Sequence, residues 1–217
     1  MLAIQFESKA STLRNLPLKQ GLMALFALAA AMGVLPDDRV TALDPASIRR
    51  LVDGLQEARL LRSAALDLAP LLHETPDELD AATADAMVAR LARLVDTLAE
   101  SPSPATEWPV MREIFGDPLL GQLTGVAEVS LRRYAAGSRE TPQAVAERLH
   151  WLALVVCDLA GGYNAYGIRR WFERPRAQLG GLSPRALLGA NWSSDDAAAA
   201  RVRALAAALS GAQPLAA

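Results

Sequence analysis

The chain has 217 residues, of which 52% are hydrophobic, 21% charged and 5% aromatic, and its formal net charge is −2. This apolar content can form a core, which excludes a fully disordered chain, and the small net charge excludes a histone-like polycation. The single cysteine excludes an intramolecular disulfide and a cysteine-based zinc site, and the two histidines are far apart in sequence. We therefore expect no metal site, and the abundant alanine favours an all-α fold.

The most apolar segment of the chain spans residues 21–35. It is shorter than the roughly 20 residues that a membrane-spanning helix requires. Basic residues upstream make it similar to a signal-peptide core, but the long leading segment and Glu7 argue against that interpretation. We therefore expect a buried helix, no membrane association and a cytoplasmic protein. The best candidate for a β-strand is the segment 1–6, MLAIQF.

Two helix-start signals follow. Asp44-Pro45 supplies an N-cap and a first-turn proline, and the apolar spacing from Ile48 to Leu61 predicts the helix that they open. A second helix is predicted to begin near Thr75-Pro76, where Glu78 completes a capping box. We interpret the carboxylates at this start as compensation of the helix dipole rather than as a metal site. They are Asp77, Glu78, Asp80 and Asp85.

A serine- and proline-rich segment, 101–104, interrupts the helical pattern and is the best linker in the chain. The charge changes near it, since residues 1–111 have a net charge of −5 and residues 112–217 have +3. Every cation of the second half is an arginine. Arginine suits phosphates and guanine edges, although a GC-rich genome also enriches it.

Residues 119–137, LLGQLTGVAEVSLRRYAAG, have the pattern of two short helices joined by a turn at Thr124-Gly125. Leu131, Tyr134 and either Val129 or Ser130 have core spacing in the second helix. The pattern predicts a helix-turn-helix, whose second helix lies in the major groove of double-stranded DNA. The alternative is an ordinary helical hairpin. The predicted DNA contacts are Glu128, Ser130, Arg132 and Arg133 on the second helix, and Ser138 and Arg139 just past it.

A third helix is predicted to begin at Glu140-Thr141-Pro142, with an apolar stripe from Val145 to Leu159 that would cover the two short helices. Catalytic interpretations are poor in this region. Cys157 lies in the apolar run LVVCDL and is better interpreted as a small core residue than as a nucleophile. Without a nearby nucleophile, His150 is interpreted as a structural or surface residue. The sequence also has no glycine-rich phosphate-binding loop. We therefore expect that the protein is not an enzyme and binds no cofactor.

The C-terminal half carries a more specific signal. The run 171–175, WFERP, followed by 179–188, LGGLSPRALL, resembles the C-terminal signature of the Xre/MbcA/ParS-type antitoxin family. The resemblance covers about residues 112–211. It implies that a helix-turn-helix binds operator DNA while the C-terminal part blocks a toxin, usually a RES-type enzyme that consumes NAD. The toxin contacts that it implies are Trp171, Arg174, Arg176 and Arg185. The segment 190–196, which includes Trp192, and the long acidic N-terminal region depart from the family pattern.

We therefore predict three domains: an acidic helical region at 1–103, which is a candidate dimerisation arm, a helix-turn-helix core at 104–162, and a toxin-binding-like helical domain at 163–217. The predicted function is that of a homodimeric, DNA-binding transcriptional regulator of antitoxin type. One alternative is a DNA-binding regulator, nucleoid protein or damage-response protein without a toxin partner. The other is a helical protein–protein interaction module.

Overall fold

A computed structural model describes residues 15–35, 42–61 and 63–210. Every regular element in these ranges is a helix, which confirms the all-α expectation. No helix among these residues is long and apolar enough to cross a bilayer. The chain divides into two compact units between Ser101 and Pro102, and each is described separately. The strand candidate at 1–6 lies outside the described residues.

The first unit is built on the packing of its first helix against its last. The apolar run at 21–35 falls mostly within the first helix and is buried, as the sequence predicts. Gly21 allows close packing, since a Cβ there would lie 3.2 Å from the Leu91 side chain. The elements are α1 (Leu16–Ala31), α2 (Pro45–Glu57), α3 (Ala64–Asp67), a 3₁₀ turn (Ala69–Leu72) and α4 (Ala81–Ala99).

The start of α2 is confirmed, but its predicted end is wrong. The Asp44 carboxylate accepts a hydrogen bond from the Ser47 N–H at 2.8 Å, and Pro45 occupies the first turn. The helix ends at Glu57 rather than continuing to Leu61. The reason is the backbone, because Arg59 and Leu61 have φ of 57° and 45°, outside the right-handed helical region.

The start predicted for α4 is also corrected. The side chain of Glu78 accepts from both the N–H and the hydroxyl of Thr75, as a capping box requires, but these bonds close a separate turn. The helix begins later, at Ala81. Its N-cap is Asp80, whose carboxylate accepts from the Thr83 N–H at 3.0 Å.

The second unit is arranged around its longest unbroken apolar helix, α7, which contacts α5, α8 and α10. The long helix α5 is kinked at Gly116, where φ is 71° and ψ is 156°. Trp108, Trp171 and Phe172 are fully buried in the core of this unit. Its elements are α5 (Pro104–Thr124), α6 (Glu128–Ala135), α7 (Gln143–Ala160), α8 (Ala165–Glu173), a 3₁₀ turn (Ala177–Leu179), α9 (Pro184–Leu188) and α10 (Ala197–Ser210).

The LGGLSP segment folds as its residues predict. Helix α8 ends at Glu173, directly before Arg174 and Pro175. Gly180 and Gly181 have φ of 71° and 82°, which residues with a Cβ adopt only with strain. Ser183 then caps α9 by accepting a hydrogen bond from the Ala186 N–H at 3.2 Å.

A polar pair lies inside the second unit. Glu107 on α5 is fully buried, and its Oε1 lies 2.6 Å from Nδ1 of His150 on α7. Oε2 of Glu107 has no hydrogen-bond partner among the described residues. His150 is therefore a buried structural residue that links two helices.

Candidate nucleic-acid interface

The α5–α6 connection is a tight glycine turn. Gly125 follows α5 with φ 72° and ψ 28°, a left-handed conformation that favours glycine. The Val126 N–H donates to the Gly121 carbonyl at 2.9 Å. A Cβ on Gly125 would lie 2.8 Å from the Ala190 carbonyl oxygen and 2.7 Å from Nη1 of Arg148. The turn therefore needs glycine both for its backbone and for its neighbours.

Arg148 on α7 and the segment that follows α9 together hold this turn in place. Nη1 of Arg148 donates to the Thr124 carbonyl at 3.0 Å, and its Nε donates to the Trp192 carbonyl at 2.6 Å. The Trp192 indole N–H donates to the Leu123 carbonyl at 2.7 Å, and the side chain is buried. These bonds satisfy two carbonyls that the end of α5 leaves without helical partners.

Helix α6 has a buried side and an exposed side. Leu131 and Tyr134 are buried, and the ring of Tyr134 stacks on that of Trp108 with 6.1 Å between centroids. Trp108 donates its indole N–H to the hydroxyl of Thr141, just before α7, at 3.0 Å, which links the start of α7 to the same cluster. Periodicity then places the positions between the buried residues toward solvent.

The exposed face of α6 contains four side chains. The sequence left open whether Val129 or Ser130 points inward, and here Val129 is 61% exposed while Ser130 is half-buried. Val129 is thus an exposed residue that the predicted set of contacts omitted. The other exposed members are Glu128, Arg132 and Arg133.

Arg132 is held by two carboxylates. Its Nε lies 2.9 Å from Asp117 on α5, and its Nη2 lies 3.1 Å from Glu128, one helical turn earlier on α6. Asp117 also accepts two hydrogen bonds from Arg112, at 2.7 and 3.1 Å. The Arg112 and Arg132 guanidinium groups lower the pKa of Asp117 to about 2, so this carboxylate is ionised at neutral pH.

The remaining predicted contacts of this region are exposed. Ser138 donates its hydroxyl to the Arg133 carbonyl at 3.1 Å, and Cζ of Arg139 lies 5.5 Å from the centroid of the Tyr134 ring. Neither Arg133 nor Arg139 forms an ion pair with another described residue. Their charges are therefore available to an anionic partner.

The structure separates the predicted toxin contacts. Trp171 is 1% exposed and packs against Phe172, so its side chain lies in the core rather than on a surface. Arg176 is half-buried, with its Cζ 5.4 Å from the centroid of the Trp171 indole. Arg174 is exposed.

Arg185 lies instead beside the α5–α6 turn. Its Nη1 donates to Oε1 of Gln122 on α5 at 2.5 Å. An open groove of about 720 Å³ lies next to this contact. The groove is lined by Pro118, Gly121, Gln122, Gly125, Val126, Ala127, Glu128, Arg185, Ala186, Gly189, Ala190 and Asn191.

The environment of Cys157 on α7 is unfavourable for a nucleophile. Burial raises the pKa of the Cys157 thiol to about 12, and the neighbouring Asp158 adds to this effect. A thiol with so high a pKa is protonated and unreactive at neutral pH. Burial also raises the pKa of Asp158 to about 6, although the charge of Arg203 opposes the shift.

No group of three or more His, Cys, Asp or Glu side chains in the described ranges has the geometry to hold a metal ion.

Two residues of the site were missed by the sequence interpretation. Asp117, which bridges two arginines, is followed by Pro118, and this repeats the Asp-Pro helix-start signal at 44–45. That signal marks a helix start but does not indicate an arginine partner on another helix. Trp192 stands out in the sequence only as a departure from the family pattern.

No family model matches the chain, and no curated protein or solved structure matches it either.

Proposed function

We propose that the chain is a DNA-binding transcriptional regulator that binds operator DNA through α5, the Gly125 turn and α6, used as a helix-turn-helix. One observation carries this proposal: α6 is a short helix after a left-handed glycine turn, with Leu131 and Tyr134 buried and arginines exposed on its other side. In a helix-turn-helix, that exposed face enters the major groove.

The charges around α6 support an anionic partner. Residues 127–139 include three arginines and one glutamate. Arg133 and Arg139 are exposed, and neither forms an ion pair with another described residue. Arginines of this kind bind phosphates and release counterions, which makes the binding sensitive to salt.

The antitoxin activity, the toxin partner and the homodimer stay predictions. Blocking a toxin rests on the resemblance of residues 171–188. The exposed arginines of that segment, Arg174 and Arg185, would have to make the contacts, because Trp171 is buried. A homodimer is expected because helix-turn-helix proteins generally read two half-sites about 34 Å apart. Light scattering of the full chain with and without operator DNA measures this directly.

The central test is a fluorescence-anisotropy titration of the full chain with the DNA upstream of its own gene and with a scrambled duplex, across a series of salt concentrations. A sequence-specific regulator binds the upstream DNA at least about tenfold more tightly, with a clear salt slope. Arg133→Ala weakens binding to both duplexes. The matched control is Arg174→Ala, which removes an exposed arginine outside the α5–α6 region and leaves DNA binding unchanged.

Two other results contradict the proposal. Equal affinity for both duplexes indicates a nucleoid or architectural protein instead of an operator-specific regulator. If neither duplex binds at low salt, the α5–α6 pair is a scaffold, and the helical protein–protein interaction module becomes the better interpretation.

A further inference from the structure

The two carboxylates beside Arg132 leave one side of its guanidinium free. A guanidinium has five N–H donors in a fixed plane. Asp117 accepts from Nε and Glu128 accepts from Nη2. The two Nη1 hydrogens and the second Nη2 hydrogen have no acceptor among the described residues. One hydrogen from each of these two nitrogens can serve as an end-on fork. The Arg132 side chain is 59% exposed, so a partner in solvent can reach it.

The ion-paired side chains around Arg132 differ in net charge from the neighbouring Arg133. Arg112 and Arg132 are balanced by Asp117 and Glu128, so the four side chains have no net charge at neutral pH. A phosphate, which is bound mainly by charge, gains little from a neutral cluster and is repelled by its carboxylates. A neutral acceptor pair, such as N7 and O6 of guanine, still accepts two hydrogen bonds from the fork.

We infer that Arg132 reads a guanine base in the major groove and is not a phosphate contact, and that Asp117 and Glu128 are positioning residues that aim its fork. Arg133, with no carboxylate paired to it, contacts the phosphate backbone. This inference rests on the proposed function, because it assigns separate tasks to two adjacent arginines on the same DNA-binding helix.

Holding Arg132 in this way has an energetic reason. An arginine side chain loses substantial rotamer freedom when it is fixed against a base. Two carboxylates that already fix the guanidinium in the free protein lower that cost of binding. The first carboxylate comes from α5 and the second from α6, so the position of the fork depends on how the two helices are packed.

The test is a selection by the full chain from a library of duplexes whose central turns are randomised, followed by affinity and salt-slope measurements on the selected duplex and on a scrambled one. Arg132→Lys keeps the charge but removes the planar fork. We expect it to lose the preference for guanine at one position, with discrimination falling about 10- to 100-fold. Its salt slope should match that of the wild type.

Arg133 provides the matched control. Arg133→Lys keeps a phosphate-binding charge and selects the same sequence as the wild type. Arg133→Ala also selects that sequence but lowers the salt slope by about 0.9, which corresponds to one phosphate contact.

The positioning residues are tested separately with Asp117→Asn and Glu128→Gln. Both are expected to weaken discrimination at the same guanine position while leaving the affinity for the scrambled duplex equal or higher, because a negative charge is removed. Glu128 is exposed, so its variant remains informative if the Asp117 variant fails to fold.

The results distinguish this inference from the proposed function. If the wild type selects a defined sequence and Arg132→Lys selects the same one with equal discrimination, the inference is wrong and the DNA-binding function stands. A reduced salt slope in Arg132→Ala, equal to that of Arg133→Ala, also overturns it. If the wild type selects no sequence, both the proposed function and the inference are wrong.

Discussion

The indole N–H of Trp192 donates a hydrogen bond to the backbone carbonyl of Leu123 at 2.7 Å, across 69 positions of sequence. Through this bond and those of Arg148, the segment between α9 and α10 stabilises the end of α5, where the turn into α6 begins. The orientation of α6 therefore depends on residues far along the chain as well as on its own turn.

The contribution of this bond is measurable with Trp192→Phe, which leaves the Leu123 carbonyl buried without its partner. Trp171→Phe is a matched control, since the Trp171 side chain is equally buried but its indole N–H has no hydrogen-bond partner among the described residues. We expect the Trp192 variant to lose about 1–3 kcal/mol more of the free energy of unfolding than the Trp171 variant. All four tryptophans lie in the second unit, so urea unfolding followed by tryptophan fluorescence reports on that unit. Equal losses would contradict a role for the hydrogen bond.

The turn itself is tested with Gly125→Ala. In this variant, residue 125 keeps a positive φ but carries a Cβ. That Cβ would lie too close to the Ala190 carbonyl and the Arg148 guanidinium. Gly137→Ala is the control, because Gly137 has a φ of 66° but no atom within 4 Å of an added Cβ. Backbone strain costs about 1–2 kcal/mol in both variants, and we expect a further loss in Gly125→Ala only. Thermal unfolding of the two variants side by side measures the difference, and identical melting temperatures would exclude the close approach.

The raised pKa of Asp158 predicts a pH-dependent effect on stability. Its pKa is about 6 in the folded protein against an ordinary value of 3.8, so the folded state binds this proton more tightly than the unfolded state. The contribution of Asp158 to the free energy of unfolding is therefore most favourable below pH 3.8 and is lost as the pH rises through 6. Asp158→Asn should be more stable than the wild type at pH 8, by about 1–2 kcal/mol after solvent screening, and should show no such gain at pH 4.

Urea unfolding at the two pH values measures this difference, with Asp195→Asn, at an exposed aspartate, as the control for removing one negative charge. A gain that is the same at pH 4 and pH 8 would show that ionisation of Asp158 is not its cause.

The buried pair of Glu107 and His150 predicts strong non-additivity. Replacing Glu107 alone by leucine leaves a buried imidazole without its carboxylate, and we expect a loss of about 1–3 kcal/mol in the free energy of unfolding. Replacing His150 by leucine as well removes both polar groups, so the double variant should be more stable than the sum of the two single losses. Urea unfolding of the wild type, the two single variants and the double variant completes a double-mutant cycle, which measures the coupling energy of the pair. Additive losses would show that the 2.6 Å contact contributes no coupling energy.

Local features of the fold were predictable because their partners are three or four residues away. The caps by Asp44 and Ser183 and the paired glycines at 180–181 belong to this class. The capping box at Thr75 shows the limit of such reasoning. Its hydrogen bonds form as expected, but they stabilise a turn equally well without a helix after it.

The candidate site was predictable in its periodicity but not in its tertiary contacts. The spacing of Leu131 and Tyr134 identified the buried side of α6 and, by difference, the exposed arginines. It did not identify Asp117 as the partner of Arg132, because that contact depends on the packing of α5 against α6. Trp192 and Leu123 are separated by still more of the chain, and no spacing rule connects them.

Helix α6 has eight residues, and its N-cap, Ala127, provides no side-chain hydrogen bond. Isolated helices shorter than about 12–15 residues are marginal in water, so a synthetic peptide of α6 alone will be unstructured. The exposed face of α6 will therefore not keep its structure if it is transferred alone to another protein. A graft of it onto another scaffold must also supply the Gly125 turn and an aromatic platform equivalent to Trp108 under Tyr134.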